Sequence, residues 1–411
     1  ASIPIIAVTG SNGKTTTARM IAHIVKGLGH KVGMTTTDGI YIDGRLVKQA
    51  DASGPRSARM VLQNPRVDFA VFEVARGGIL REGLGYSAND VAVVLNVTGD
   101  HLGLKEVNSL RQLAAIKRVV VEAVPRSGTA VLNADDELVA EMRTHCSGSV
   151  ILFSMRDDNP LIDRWVRRGR KAFVIEKQPG GGEMMVLREG RRSTQIAWVH
   201  LIPATFEGRA RANVQNALAA AAAAHAAGAH LNDIRQGLRS FHPSFHEAPG
   251  RLNMFELHGV KVIVDYAHNP AGLQMAGDFV ERLTAPGVNG PGPEPGRRIA
   301  VIATPGDRRD EDMRELGRVA ARVFDILIVR EDANPRGRQR GEIARHVMEG
   351  VKATEDSRVE TAEIIIDERP AIDAALSRAR PGDVVLLCVD KPADTWRDLE
   401  ARRALPVTPA D

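Results

Sequence analysis

Seven consecutive residues, Gly10-Ser11-Asn12-Gly13-Lys14-Thr15-Thr16, bring together the groups that hold a polyphosphate: small residues, a lysine and two hydroxyls. They follow the apolar run Ile3 to Val8 and precede a helical pattern from Lys14 to Val25. The spacing therefore predicts a strand, a glycine-containing loop and a helix whose first amides point at phosphate oxygens. In that arrangement Lys14 reaches the β- and γ-phosphates of a nucleotide, and the Thr15 hydroxyl ligates Mg²⁺. One feature departs from the usual G-x-x-x-x-G-K-T spacing: Val8 occupies the first glycine position.

Other groups fall just after apolar runs, where open parallel sheets bind ligands. Glu73 follows Val71-Phe72, and Asp100-His101 comes a few residues after Val91 to Leu95. Beside a phosphate loop, Glu73 and His101 read as a Mg²⁺ environment, with His101 acting through water because imidazole is a poor ligand for that ion. Lys117 falls in a helical pattern from Ser109 to Val124, and periodicity alone puts it on a solvated face. Asn133-Ala134-Asp135-Asp136 reads as a helix N-cap. Further on, Asp265-Tyr266-Ala267-His268-Asn269-Pro270 leaves another apolar run and is dense in polar groups for a simple turn. The charged run Gly306 to Asp312 reads equally as solvated surface or ligand-facing loop, and Asn334 to Arg340 as a mobile loop or an anion grip. Asn96-Val97-Thr98 matches a glycosylation acceptor and is set aside in a cytosolic chain.

The elements that must carry these residues follow an α/β plan. Phe69 to Phe72, Val91 to Val94 and Ala130 to Leu132 are buried-strand runs separated by helical patterns, which predicts a mostly parallel sheet. Between about 147 and 201 short strands with glycine turns predict a small antiparallel β appendage. An Ala-rich helix follows over 213–228. A break near His246 to Gly250 divides residues 1–246 from 247–411. The second part repeats the alternation, with strands at Val260 to Val264, Ile299 to Ala303, Ile326 to Val329, Glu363 to Ile366 and Val384 to Cys388, and a surface loop over 285–296. The expected fold is a P-loop domain with a mostly parallel sheet plus a C-terminal Rossmann-like α/β domain.

Composition bounds the function. The 411 residues are 43% hydrophobic and 26% charged, a globular balance that excludes disorder, collagen and coiled coil for the whole chain. Net charge is only +4 and aromatics are 4%, so a nucleic-acid partner is not expected. Eleven lysines against 44 arginines make any lysine at a candidate site more conspicuous. Cys146 and Cys388 fit no metal spacing and suit a reducing compartment. No stretch approaches ~18 uninterrupted apolar residues and no signal-peptide pattern opens the chain, so the cytoplasm is the expected location and no membrane is implied.

With these residues in view, the chain resembles the ATP-dependent Mur ligase family, and within it the cyanophycin branch. The phosphate loop, its first glycine missing, matches the family pattern. Thr35-Thr36-Thr37-Asp38-Gly39, Ser53-Gly54-Pro55 and Glu73 to Arg81 look like the cyanophycin branch. Asp100-His101-Leu102-Gly103, Ala115-Ile116-Lys117, Asn133 to Asp136, Asn213-Val214-Gln215-Asn216, Gly250-Arg251-Leu252-Asn253 and Asp265 to Pro270 continue the match in order. The resemblance implies that Gly10, Asn12, Gly13, Lys14, Thr15 and Thr16 hold ATP phosphates. Thr15, Glu73 and His101 would bind magnesium. Lys117 would be the lysine that many Mur ligases carbamoylate to bridge metal and substrate, which reverses the solvated-face reading. Lys14, Lys117 and His101 are thus the catalytic candidates, with Asn216, Arg251, Asp265 and His268 as nucleotide contacts.

The implied reaction is ATP-dependent amide ligation through an acyl phosphate. It joins the α-amino group of arginine to the β-carboxyl of aspartate in a cyanophycin-type peptide, beside an ATP-grasp module that adds the aspartate. Asp307, Asp310 and Asp312 are candidates for pairing with the arginine guanidinium. A non-catalytic nucleotide-binding partner and a ligase for another amino acid remain open, as does homo-oligomerisation.

Overall fold

A computed structural model describes residues 3–99, 102–103, 107–245, 247–285 and 296–404. The chain forms two compact units, one containing the residues before Asp100 and Ser109–His242, the other containing Asp100–Asn108 and everything from Pro243 onward. Among the described residues no helix is long and apolar enough to cross a membrane.

Strands of the first unit are β1 (Ile5–Thr9), β2 (Val32–Thr36), β3 (Gly39–Ile42), β4 (Arg45–Lys48), β5 (Phe69–Glu73), β6 (Val91–Val94), β7 (Thr129–Asn133), β8 (Ser149–Ser154), β9 (Lys171–Lys177), β10 (Glu183–Glu189) and β11 (Arg192–Trp198). Its helices are α1 (Lys14–Gly27), α2 (Pro55–Leu62), α3 (Arg76–Glu82), α4 (Leu110–Glu122), α5 (Glu137–Glu141), α6 (Pro160–Arg167), α7 (Arg211–Ala226) and α8 (Leu231–Ser240). One sheet runs β11-β10-β9-β8-β7-β6-β1-β5-β2-β3-β4. It is parallel from β9 through β2 and antiparallel at both margins. The β-branched run Ile5-Ile6-Ala7-Val8 is wholly buried because β1 sits mid-sheet with helices over both faces. Helix α7 is buried almost all round, Ala217 and Ala219–Ala224 being inaccessible, and its small side chains let it pack closely under the sheet and against α1.

Two details depart from the sequence reading. The strand at Val150 to Phe153 belongs to β8, which pairs parallel with both β7 and β9, so antiparallel pairing begins only at β9–β10 and extends the main sheet. The β2–β4 margin has no sequence counterpart above, because β4 is exposed along its length and lacks the apolar run that marks a buried strand.

The second unit holds β12 (Asn253–Leu257), β13 (Val260–Asp265), β14 (Arg298–Ile302), β15 (Ile326–Val329), β16 (Thr361–Ile364) and β17 (Val384–Cys388). Its helices are α9 (Pro270–Leu283), α10 (Asp310–Val323), α11 (Glu342–Lys352), α12 (Glu368–Arg378) and α13 (Pro392–Arg403). The order β12-β13-β17-β14-β15-β16 is parallel except for the β12–β13 edge. The α/β fold with a mostly parallel first sheet and a Rossmann-like second one is therefore present. Most of the strip expected as a loop over 285–296 lies outside the described residues.

Candidate active site

Helix α1 begins directly behind the four-residue turn that ends β1. Gly13 is its N-cap with φ 87°, the left-handed region that favours glycine, and a Cβ there would lie 2.3 Å from Asn216 Oδ1. No side chain caps the helix and its first turn carries no acid, so its amides and positive dipole end suit an anion. The turn is clamped from β6 by Asn96. Its Oδ1 accepts from the Ser11 and Asn12 amides (3.0 and 2.9 Å), and its Nδ2 donates to the Asn12 carbonyl (3.1 Å). The Thr98 amide donates to Ser11 Oγ at 2.9 Å. With the Ser11 and Asn12 amides so engaged, the cradle narrows to the start of α1. Lys14 Nζ donates to the Ser11 carbonyl at 3.0 Å, which folds the ammonium back over the turn.

Beside this cradle Glu73, 2% exposed at the end of β5, accepts from Thr15 Oγ1 (2.8 Å) and the Thr37 amide (3.1 Å). Thr37 Oγ1 lies 3.3 Å from Thr15 Oγ1. The cluster is all oxygen at its donor atoms, which suits a hard divalent cation. Among the described residues no three His, Cys, Asp or Glu side chains are placed to hold a metal ion. Magnesium does not need such a cage, since it keeps several waters and takes one or two carboxylates plus substrate phosphates. Thr15 and Glu73 fit that pattern; His101, the third expected ligand, lies outside the described residues.

Lys117 corrects the solvated-face reading. It is 4% exposed, and its Nζ donates to the Gly10 carbonyl at 2.8 Å. The signal was present in the spacing, since Leu113, Lys117, Val120 and Val121 share the buried face of α4. Helix α4 is set by a full capping box between Ser109 and Gln112. Asn216, on α7, is buried, with Nδ2 donating to Asn213 Oδ1 at 3.3 Å and Oδ1 turned towards Gly13. Thr16 is buried in the first turn of α1. Asp136 caps α5 and accepts from the Val97 amide at 2.7 Å, so this pair of loops braces the strand end that carries Asn96. The first unit thus gathers Gly10, Asn12, Gly13, Lys14, Thr15, Thr16, Glu73, Lys117 and Asn216 at one end of its sheet.

In the second unit Arg251, Asp265 and His268 meet at the end of β13. Each Asp265 oxygen accepts one amide, from Leu252 and from Ala267, both at 2.8 Å. Burial pushes this carboxyl upward, with the amides and Arg251 opposing. The Arg251 guanidinium lies over the Tyr266 ring at 5.3 Å, and His268 Nδ1 is 2.9 Å from the Tyr266 carbonyl oxygen. The three acids considered for arginine recognition are paired within the chain. Asp307 meets Arg308 and Arg336 (2.8 Å each), Asp310 meets Arg338 (2.7 Å), and Asp312 meets Arg309 (2.7 Å).

A cluster without a counterpart in the sequence reading stands at the ends of β15 and β17. Arg330, 2% exposed, donates to the Cys388 carbonyl (2.9 Å) and Asp390 (2.9 Å), and pairs with Glu368 (3.0 Å) and Asp332 (3.5 Å). Burial, then the neighbouring Asp390 charge, raises the Asp332 carboxyl to about 6. A buried arginine after an apolar strand was its only sequence trace.

This architecture has known counterparts. Residues 8–224 match the Mur ligase middle domain and residues 250–389 the Mur ligase, glutamate ligase domain. The chain belongs to the Mur ligase family. It is 45% identical over 385 residues to a cyanophycin synthetase from Crocosphaera subtropica, covering 94% of this chain and 42% of the relative. A Synechocystis cyanophycin synthetase is 43% identical over 403 residues, covering 98% and 44%. The chain therefore spans less than half the length of these relatives. Among solved structures, E. coli FolC in complex with DHPP and ADP superposes with a TM-score of 0.67 at 19% identity, covering 98% of this chain and 90% of that one.

Proposed function

We propose that the chain is an ADP-forming amide ligase module that couples an amino acid, arginine in this reading, to the β-carboxyl of aspartate on a cyanophycin-type peptide. The observation carrying the proposal is the uncapped α1 N-terminus with Lys14 beside it and the Thr15–Glu73 pair one helical residue on. A substrate carboxylate oxygen attacks the γ-phosphorus of ATP, and ADP leaves. The amine nitrogen then attacks the acyl carbon, and phosphate leaves as the nitrogen loses its proton. Both steps concentrate negative charge, which the α1 amides and Lys14 are placed to stabilise before it develops. Magnesium, when bound by Thr15 and Glu73, would neutralise phosphate charge. Lys117 is the residue we assign to the carboxylate-bearing substrate, because its ammonium is buried against the phosphate loop. Nucleotide contacts by Arg251, Asp265 and His268 rest on the motif match. An aspartate-adding ATP-grasp activity would supply the acceptor.

The test is incubation with ATP, Mg²⁺, arginine and a short β-Asp-Arg peptide. Elongation with one ADP per added residue is expected, and Lys14→Ala abolishes both. Nucleotide binding without amine-dependent ADP release under varied amino acids would overturn the ligase reading. Because Asp307, Asp310 and Asp312 already hold in-chain arginines, a ligase for a different amine is the second reading; it would turn over with lysine in place of arginine.

A further inference from the structure

The sheet of the first unit ends at β4, and this margin is open. All four residues of β4 are exposed; Leu46 and Val47 show 49% and 58% of their surface, and Met60 on α2 shows 49%. Val47, Ile42, Met60 and Pro65 line a groove of about 380 Å³. Proteins usually blunt such margins with proline, a bulge, charges or a covering element. Here a bulge leaves Val47 without a partner on β3, since Leu46 faces Tyr41 and Lys48 faces Ile40. A neighbouring strand cannot zip along the whole margin, so side chains in the groove must supply most of any attachment.

The charges around the groove choose its occupant. Arg45 and Lys48 flank the apolar pair on β4, and Arg66 lines the groove itself. Among the described residues no acid stands within ion-pairing distance of these three. The acids of the adjoining turns are engaged elsewhere, Asp43 with Lys26 and Lys31, Asp68 with His30. A second copy of the chain fits badly, because pairing β4 with its own copy sets Arg45 and Lys48 against like charges.

We propose that this margin docks an acidic polypeptide segment from outside residues 1–411, seating an apolar side chain between Val47 and Met60 and carboxylates on Arg45, Lys48 and Arg66. Apolar anchorage with a complementary polar rim is the ordinary anatomy of such a contact, and the rim charges make it salt-sensitive.

The experiment uses the full chain and a fluorescein-labelled peptide alternating glutamate and leucine, read by fluorescence anisotropy, with a lysine–leucine peptide as control. The acidic peptide should bind at least about tenfold tighter than the basic one and weaken as salt rises. Val47→Asp, and independently Met60→Glu, should each weaken it by about tenfold or more, as loss of a central anchor does. Both positions are half-exposed, so unfolding temperature and ATP binding should stay unchanged. Equal affinity for the two peptides, or no effect of either substitution, would overturn the proposal. So would a concentration-dependent dimer in sedimentation that Val47→Asp dissolves, which assigns the margin to a second copy.

Discussion

Asn96, set aside in the sequence as part of a glycosylation match, makes three side-chain hydrogen bonds to the turn between β1 and α1. Asn96→Ala should cost about 1–3 kcal/mol in urea unfolding, the usual penalty for stranding buried main-chain groups, and raise the ATP concentration needed for half-saturation. Asn96→Asp keeps the acceptor for the two amides but loses the Nδ2 donor and adds a negative charge beside the phosphates. It should weaken nucleotide binding more than it lowers stability, and calorimetric titration separates the two. Asp332 yields a pH prediction. Its carboxyl is raised from 3.8 to about 6, so the folded state holds a proton that the unfolded chain releases. Stability should therefore fall as pH rises from about 4 to about 6. Asp332→Asn should flatten that part of the stability–pH curve, and an unchanged slope would place the raised carboxyl elsewhere. The Asn96 signal was unreadable because its role depends on β6 lying beside β1, five strands earlier in sequence.

At the scale of elements, close approaches decide what can be changed. Helices α10 and α11 cross where Gly317 and Gly350 face each other's main chain: an added Cβ would meet Val347 O at 2.0 Å and Arg314 O at 1.9 Å. Because the obstacle is backbone, Gly317→Ala must push the helices apart and should cost more than the ~1–3 kcal/mol typical of overpacking. Thermal unfolding checks this, and a neutral result would mean the crossing is looser than it stands here. Helix α7 poses the same constraint over most of its surface. Its alanines read from sequence as a packed helix or as low complexity, and only the burial of Ala217 and Ala219–Ala224 settles the matter. The second margin of the sheet escaped the sequence reading for the opposite reason. Period-2 patterns reveal strands that bury a face, and β4 buries none.

Taken whole, the molecule comprises two α/β units, and the proposed nucleotide cradle lies in the first. Saturating ATP should raise the unfolding temperature, since a ligand at about 100 times its Kd adds ~2.7 kcal/mol to the folded state. Lys14→Ala or Gly13→Ala should erase the shift, Gly13→Ala because it strains a left-handed turn and drives a methyl into Asn216. A persistent shift in both variants would put the nucleotide somewhere else. The sequence by itself determined the strand, glycine turn and helix around Lys14, the α/β alternation and the family, because these are written in contiguous residues and local periodicity. The tertiary structure alone decided that Lys117 Nζ donates to the Gly10 carbonyl, that Asn96 clamps the turn, and that Asp307, Asp310 and Asp312 are occupied by arginines of the same chain. Burial and pairing depend on which segments the sheet order sets side by side, and that order is a property of the folded chain, not of any stretch within it.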